Sequence, residues 1–187
     1  MRDEVINCVK VLLDGKVILY PTDTIWGIGC DATNNRAVQK IFKIKQRPEQ
    51  KSLIILLDKV EKLEKYVQKV PEIVYDLIKG VNRPLTIVYP NAKNLAKSVI
   101  AQDKSIAIRV VKDEFCQRVI SLLDKPIVST SANLSGENPP LVFSKISKEI
   151  IEQVDYSVKY NKFLIREIKT STMVKIDSKG EFIVLRS

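Results

Sequence analysis

The 187-residue chain contains no histidine. That absence removes the imidazole base of Ser/His/Asp and Cys/His nucleophile systems, histidine proton shuttles and histidine-built metal centres. Cysteine is scarce too. Cys8, Cys30 and Cys116 stand alone with no CxxC pair, which argues against a disulfide framework or a structural zinc site and for reduced, mostly buried thiols. No apolar run approaches the roughly 20 residues that cross a bilayer. The start, MRDEVINCVKVLLDG, carries acids where a signal peptide is basic, so the expected compartment is the cytoplasm with no membrane partner. Aromatic residues make up 6% of the chain and form no RNP-like strand, which leaves little for stacking single-stranded bases. Chemistry here must rest on lysine, arginine, hydroxyls, amides, carboxylates, backbone groups and bound ions.

What the chain does have is positive charge, a formal +9. Such an excess concentrates polyanions, whether nucleotides or RNA. Part of it has a plainer explanation, because the lysines of KVEKLEKYVQK alternate with acids and suit a solvated helix. With 45% hydrophobic and 28% charged residues the balance is that of a soluble protein, and the length predicts one domain over 1–187.

Val5, Cys8, Val9, Leu12 and Leu13 recur at helical spacing within residues 3–14, with Asp3 as a cap and Gly15 as a stop. KVILY then reads as a strand ended by Pro21, and PTDTIWGIGCDATN as a loop. Ala37, Ile41, Phe42 and Ile44 mark a second helix capped by Asn34 or Asn35, which delivers Lys43, Lys45, Arg47 and Lys51 to the strand SLIILL. LTIVY, SIAIRVV and PIVST read as further buried strands, with DEFCQRVISLLD as a helix between the last two. Alternating helices and near-continuous apolar strands predict an α/β sheet with covered faces. STMVKID, SKG and EFIVLR form a hairpin pattern, which makes the sheet mixed.

Four stretches carry chemistry. GIG lacks the third glycine and the following helix of a dinucleotide fingerprint, and GxxxxGK[ST] is missing, so bound phosphates would depend on side chains. The cations of KIKQRPEQK, stiffened by Pro48, can converge on a polyanion or form a solvated basic turn. Ser129, Thr130, Ser131, Asn133 and Ser135 leave a strand's carboxyl end, where open α/β sheets bind ligands, or make a plain polar turn. Thr22, Asp23 and Thr24 form a similar exit. Arg109 sits inside the apolar strand IAIRV and needs an anion, either a ligand or an Asp or Glu of the protein.

Taken together and in this order, PTDTIWGIG, KQRPEQKSLIIL, IAIRV and PIVSTSANLSG closely resemble the YrdC-like family, specifically its threonylcarbamoyl-AMP synthases, from about Lys16 to Arg186. The resemblance implies a single-domain, twisted, open mixed α/β sheet flanked by helices, with a large basic cavity, in the short bacterial form. It implies a nucleotidyltransferase that makes threonylcarbamoyl-adenylate and pyrophosphate from L-threonine, bicarbonate and ATP, with Mg²⁺ held mainly by the phosphates and no protein metal site. A partner transferase would then pass the group to adenosine 37 of tRNA. By the same resemblance the catalytic elements KxR and SxN fall on Lys45 and Arg47 and on Ser131 and Asn133. Lys51, Ser105 and Arg186, with Arg47, Ser131 and Asn133, fall where the family contacts ATP. Thr24, Arg109 and Ser171 fall where it holds threonine, with Ser129 beside them. The chain departs from the family at VNRPLT, where Asn82 and Arg83 replace a Pro-Gly-Pro turn. Two other readings remain: an RNA-binding module contacting tRNA or double-stranded RNA without turnover, and a paralogue acting on another carbamoyl-type substrate.

Overall fold

The computed structural model describes residues 1–48, 53–160, 171–177 and 180–187. Its short apolar runs pair into one open, mixed sheet. The strands are β1 (Ile18–Pro21), β2 (Trp26–Gly29), β3 (Ile54–Leu57), β4 (Leu85–Tyr89), β5 (Ile106–Val110), β6 (Ile127–Ser131), β7 (Tyr156–Ser157), β8 (Thr172–Ile176) and β9 (Phe182–Arg186). They lie in the order β7-β1-β2-β6-β3-β5-β4-β8-β9. Pairs β3–β5, β4–β8 and β1–β7 are parallel and the rest antiparallel. The C-terminal strands form the expected antiparallel hairpin; Ser178 and Lys179 of its SKG turn lie outside the described residues.

Residues 21–34, expected as a loop, contain β2. Trp26 and Ile28 are buried, and the intervening glycines let the strand press between β1 and β6. A methyl group on Gly29 would stand 2.5 Å from the carbonyl oxygen of Val128 and 2.7 Å from the Tyr20 ring. Gly29 therefore serves sheet packing, while Gly27 lines a cavity. Because both obstacles are buried, Gly29→Ala is expected to cost about 2–3 kcal/mol, roughly 5–10 °C in Tm. A melting curve superimposable on that of the native chain would contradict this packing.

Six helices complete the described fold: α1 (Arg2–Leu13), α2 (Asn35–Ile44), α3 (Leu63–Tyr66), α4 (Glu72–Gly80), α5 (Glu114–Leu123) and α6 (Lys148–Gln153). The stripe Val5, Cys8, Val9 and Leu12 of α1 is buried, while Leu13 is exposed. Met1, with no side-chain bond, occupies the cap position expected for Asp3; Asp3 is the second helical residue, where its charge complements the positive end of the helix dipole. Gly15, at φ +70°, ends the helix as expected, with its N–H on Leu12 O and that of Lys16 on Val11 O. Asn34 caps α2 by accepting from the Ala37 N–H at 3.1 Å, and Asp113 caps α5 through the Cys116 N–H at 2.9 Å. KVEKLEKYVQK forms a 3₁₀ turn, Val60–Lys62, followed by the single turn α3, in place of one long helix.

Helices α1 and α5 pack together and enclose Cys8 and Cys116. Burial, and secondarily Glu4, pushes the Cys8 thiol up to about 12, and burial likewise raises Cys30 and Cys116. These thiols are protonated packing groups. No helix among the described residues is long and apolar enough to cross a membrane.

The expectation that both sheet faces are covered needs correction. In β5, Ile106 and Ile108 enter the core, whereas Ala107 and Arg109 point to the other face, where a cavity opens.

Candidate active site

The cavity has a volume of about 590 Å³. Its floor is one row of residues read across five strands. Ser129 of β6 stands opposite Ile54 of β3, Ile54 opposite Ala107 of β5, Ala107 opposite Val88 of β4, and Val88 opposite Lys175 of β8. All five line the cavity, so an apolar middle runs between a hydroxyl and an ammonium. Arg47, Arg109 and Arg186 enter from the sides, and no carboxylate is among the described lining residues.

The KxR arm owes its shape to how α2 ends. Gln46 adopts φ 48°, the Gln46 N–H bonds Lys43 O, and the Arg47 N–H bonds Phe42 O at 2.9 Å. This is a Schellman closure with glutamine in the left-handed position that glycine usually fills. It turns neighbouring cations in different directions. Arg47 reaches the cavity, and burial lowers its guanidinium pKa. Lys45 points into the protein, 1% exposed, and its Nζ donates to the carbonyl oxygens of Ser131 and Asn133 at 2.5 and 2.6 Å. The Ser135 N–H in turn bonds Lys45 O at 2.9 Å. The end of α2 and the loop after β6 are thus tied into one piece.

Arg109 is 6% exposed. Its Nη1 donates to Asp23 Oδ1 at 2.8 Å and, more loosely, to Thr24 Oγ1 at 3.4 Å. Its Nε is buried with no hydrogen-bond partner among the described residues. One corner of the guanidinium is therefore anchored, while the buried Nε keeps an unmet donor that an anion such as a carboxylate would satisfy. Thr22 Oγ1 shapes the neighbouring turn, accepting from the Thr24 N–H and donating to Ile25 O at 2.7 Å.

The hairpin β8–β9 supplies the remaining wall. Met173 pairs with Arg186 but Val174 pairs with Val184, a bulge that lets the consecutive residues Leu185 and Arg186 both line the cavity. Arg186 donates through Nε and Nη2 to Ser171 O at 3.2 and 3.0 Å, and Ser171 Oγ lies 2.9 Å from Thr86 Oγ1. Ser105 bonds Asp103 Oδ1 through both its N–H and its hydroxyl.

Residues 10–187 match the protein family described as "Telomere recombination", which spans Sua5, YciO and YrdC proteins. The chain belongs to the Sua5/YciO/YrdC family. It is 40% identical over 153 residues to a threonylcarbamoyl-AMP synthase of Pseudoalteromonas translucida, covering 80% of this chain and 82% of that protein. A threonylcarbamoyl-AMP synthase of Psychromonas ingrahamii is 36% identical over 156 residues, 79% of this chain and 78% of that protein. Among solved structures, P. abyssi Sua5 complexed with L-threonine superimposes with a TM-score of 0.88 at 26% identity. That match covers 97% of this chain but 53% of Sua5, so the chain spans about half of Sua5's length.

For this Sua5/YciO/YrdC chain, most residues anticipated from sequence share the one cavity: Arg47, Ser105, Ser131 and Arg186 from the expected ATP set, and Thr24, Arg109, Ser129 and Ser171 from the expected threonine set. Two do not line it. Lys45 sits behind the wall, and Asn133 uses its Nδ2 to bond Leu134 O and Glu137 O, shaping the loop. Lys51 lies outside the described residues. Asn82 and Arg83 line a separate depression of about 200 Å³ beyond Asp23, so the departure at VNRPLT leaves the main cavity's described lining untouched. Sequence reasoning missed Lys175. Its signal was the strand alternation Ser171, Met173, Lys175, which puts all three on one face.

Proposed function

We propose that the protein is a threonylcarbamoyl-AMP synthase, converting L-threonine, bicarbonate and ATP into threonylcarbamoyl-adenylate, pyrophosphate and water. Arg109, whose buried Nε lacks a partner among the described residues, beside Thr24 in the cavity that also receives Arg47 and Arg186, carries the reading. That unmet donor suits the α-carboxylate of an amino acid, and the other cations suit a nucleotide's phosphates. The relatives named above act as a second support.

Chemistry proceeds without a covalent enzyme intermediate. The amine of threonine attacks the carbon of bicarbonate or CO₂, forming a carbamate; from bicarbonate, water leaves. A carbamate oxygen then attacks the α-phosphorus, the bond to the bridging oxygen of the β-phosphate breaks, and pyrophosphate departs. The amine must be neutral to attack, and a cationic cavity disfavours its ammonium form. Holding the reactants aligned accounts for about 7–11 kcal/mol of barrier in well-oriented reactions. Arg47 and Arg186 would stabilise charge that grows on the phosphoryl oxygens. Lys45 acts one layer back, fixing the loop that carries Ser131.

The donor set offers no protein cage for Mg²⁺: no three His, Cys, Asp or Glu side chains converge among the described residues. Magnesium would arrive on the phosphates of ATP. The product, an activated mixed anhydride, would be consumed by a transferase that acylates adenosine 37 of tRNA.

Mass analysis of incubations with ATP, bicarbonate, Mg²⁺ and each of threonine, serine and valine tests this. Threonine is expected to yield the carbamoyl adenylate. Serine, lacking one methyl contact, should react roughly 10–200-fold less efficiently. Valine should do worse, since it leaves the polar group facing the hydroxyl unmet. No adenylate from any of the three would refute the assignment.

A further inference from the structure

Lys175 has no part in the scheme above, yet it is a cation at one end of the cavity floor. It follows Ser171 and Met173 on the face of β8 that lines the cavity. Two strand steps and two residues of rise separate it from Arg109, about 12 Å between backbones. Both side chains can therefore touch one extended ligand. Its Nζ rests 3.3 Å from Asp103 Oδ2, and its side chain remains 42% exposed, that of Asp103 56%. The other carboxylate oxygen, Oδ1, is taken by the N–H and hydroxyl of Ser105, which also lines the cavity.

Resting on the synthase reading, we infer that Lys175 is a further phosphate-binding residue of the nucleotide site, parked on Asp103 until ATP arrives. A half-exposed lysine–carboxylate pair is weak, because water screens it and two side chains must be held in one geometry. A polyphosphate carries more charge than one carboxylate and enters a cavity whose described lining contains no competing acid. The ammonium exchanges Asp103 for phosphate oxygens by a swing of its flexible stem. Asp103 keeps Ser105 in place through the oxygen that Lys175 does not use.

Calorimetric titration of the native chain and of Lys175→Ala, Lys175→Arg and Asp103→Asn with a non-hydrolysable ATP analogue, and separately with L-threonine, tests the assignment. Lys175→Ala is expected to weaken the analogue about 10-fold, as loss of one charge-assisted bond does. Threonine affinity should stay within about twofold. Lys175→Arg, which keeps the charge, should restore most of the loss. Asp103→Asn, which removes the competitor but keeps an oxygen for Ser105, should bind the analogue as well as the native chain or more tightly. A surface clasp without ligand contact would instead make Lys175→Ala and Asp103→Asn weaken binding alike, and that outcome overturns the inference. Native analogue affinity in Lys175→Ala overturns it too, while leaving the synthase reading intact. A native chain that binds threonine but no nucleotide refutes that reading and this assignment together.

Discussion

Arg109→Ala is expected to raise the Kd for L-threonine by at least about 100-fold while changing the affinity for ATP by less than about threefold. The asymmetry follows from what surrounds the guanidinium. Asp23 and Thr24 take only Nη1, and Nε is buried without a hydrogen-bond partner among the described residues. Breaking a buried pair by removing one member costs about 3–5 kcal/mol, which corresponds to several hundredfold or more in affinity. Arg47, Arg186 and Lys175 come from other strands and loops, so the phosphate contacts survive. Calorimetry with each ligand separately checks the split. ATP affinity lost and threonine affinity kept would exchange the two subsites.

Lys45→Met should lower threonine-dependent pyrophosphate release by about 10²–10³-fold with little loss of stability. Burial, followed by the nearby Arg47, lowers the Lys45 pKa from 10.5 to about 8. A lysine with a folded pKa below its unfolded one makes the folded state less willing to hold the proton. That penalty is fully present below about pH 8 and fades as pH rises from about 8 to 10.5. The difference corresponds to about 3 kcal/mol. Methionine removes this penalty but leaves the carbonyls of Ser131 and Asn133 unmet, at about 1–3 kcal/mol each, so the two effects nearly cancel near pH 7. Tm is therefore expected to move by less than about 5 °C. The native chain should gain stability relative to the variant between pH 8 and 10. Turnover within tenfold of native would remove Lys45 from the mechanism.

A folded protein that keeps a buried ammonium against such a penalty does so where function needs the charge or the shape it holds. In this case the shape is the join between the end of α2 and the loop after β6.

Arg109 shows how much was legible. A guanidinium in an apolar strand demands an anion, and Asp23 answers that demand at one nitrogen while the buried Nε is left without a partner among the described residues. The basic cluster was legible as a cluster but not in its division of labour. Only the turn at Gln46 separates Lys45 from Arg47, and a left-handed glutamine leaves no mark in sequence as glycine would. Lys175 went unseen because a lysine in an alternating strand normally faces water. Only the pairing of β8 with β4 shows that this face is a cavity wall. Strand β2 reads as loop in the sequence because four residues containing two glycines have little strand propensity. Tertiary packing against Val128 and Tyr20 makes Gly29 necessary.

A crystal grown with L-threonine and a non-hydrolysable ATP analogue tests the central claim most directly, because it asks whether both ligands share the cavity between Arg47 and Arg109. The account predicts the threonine carboxylate against Nε and Nη2 of Arg109, with phosphates against Arg47. Threonine and nucleotide bound on separate surfaces, with this cavity filled only by water, would contradict it.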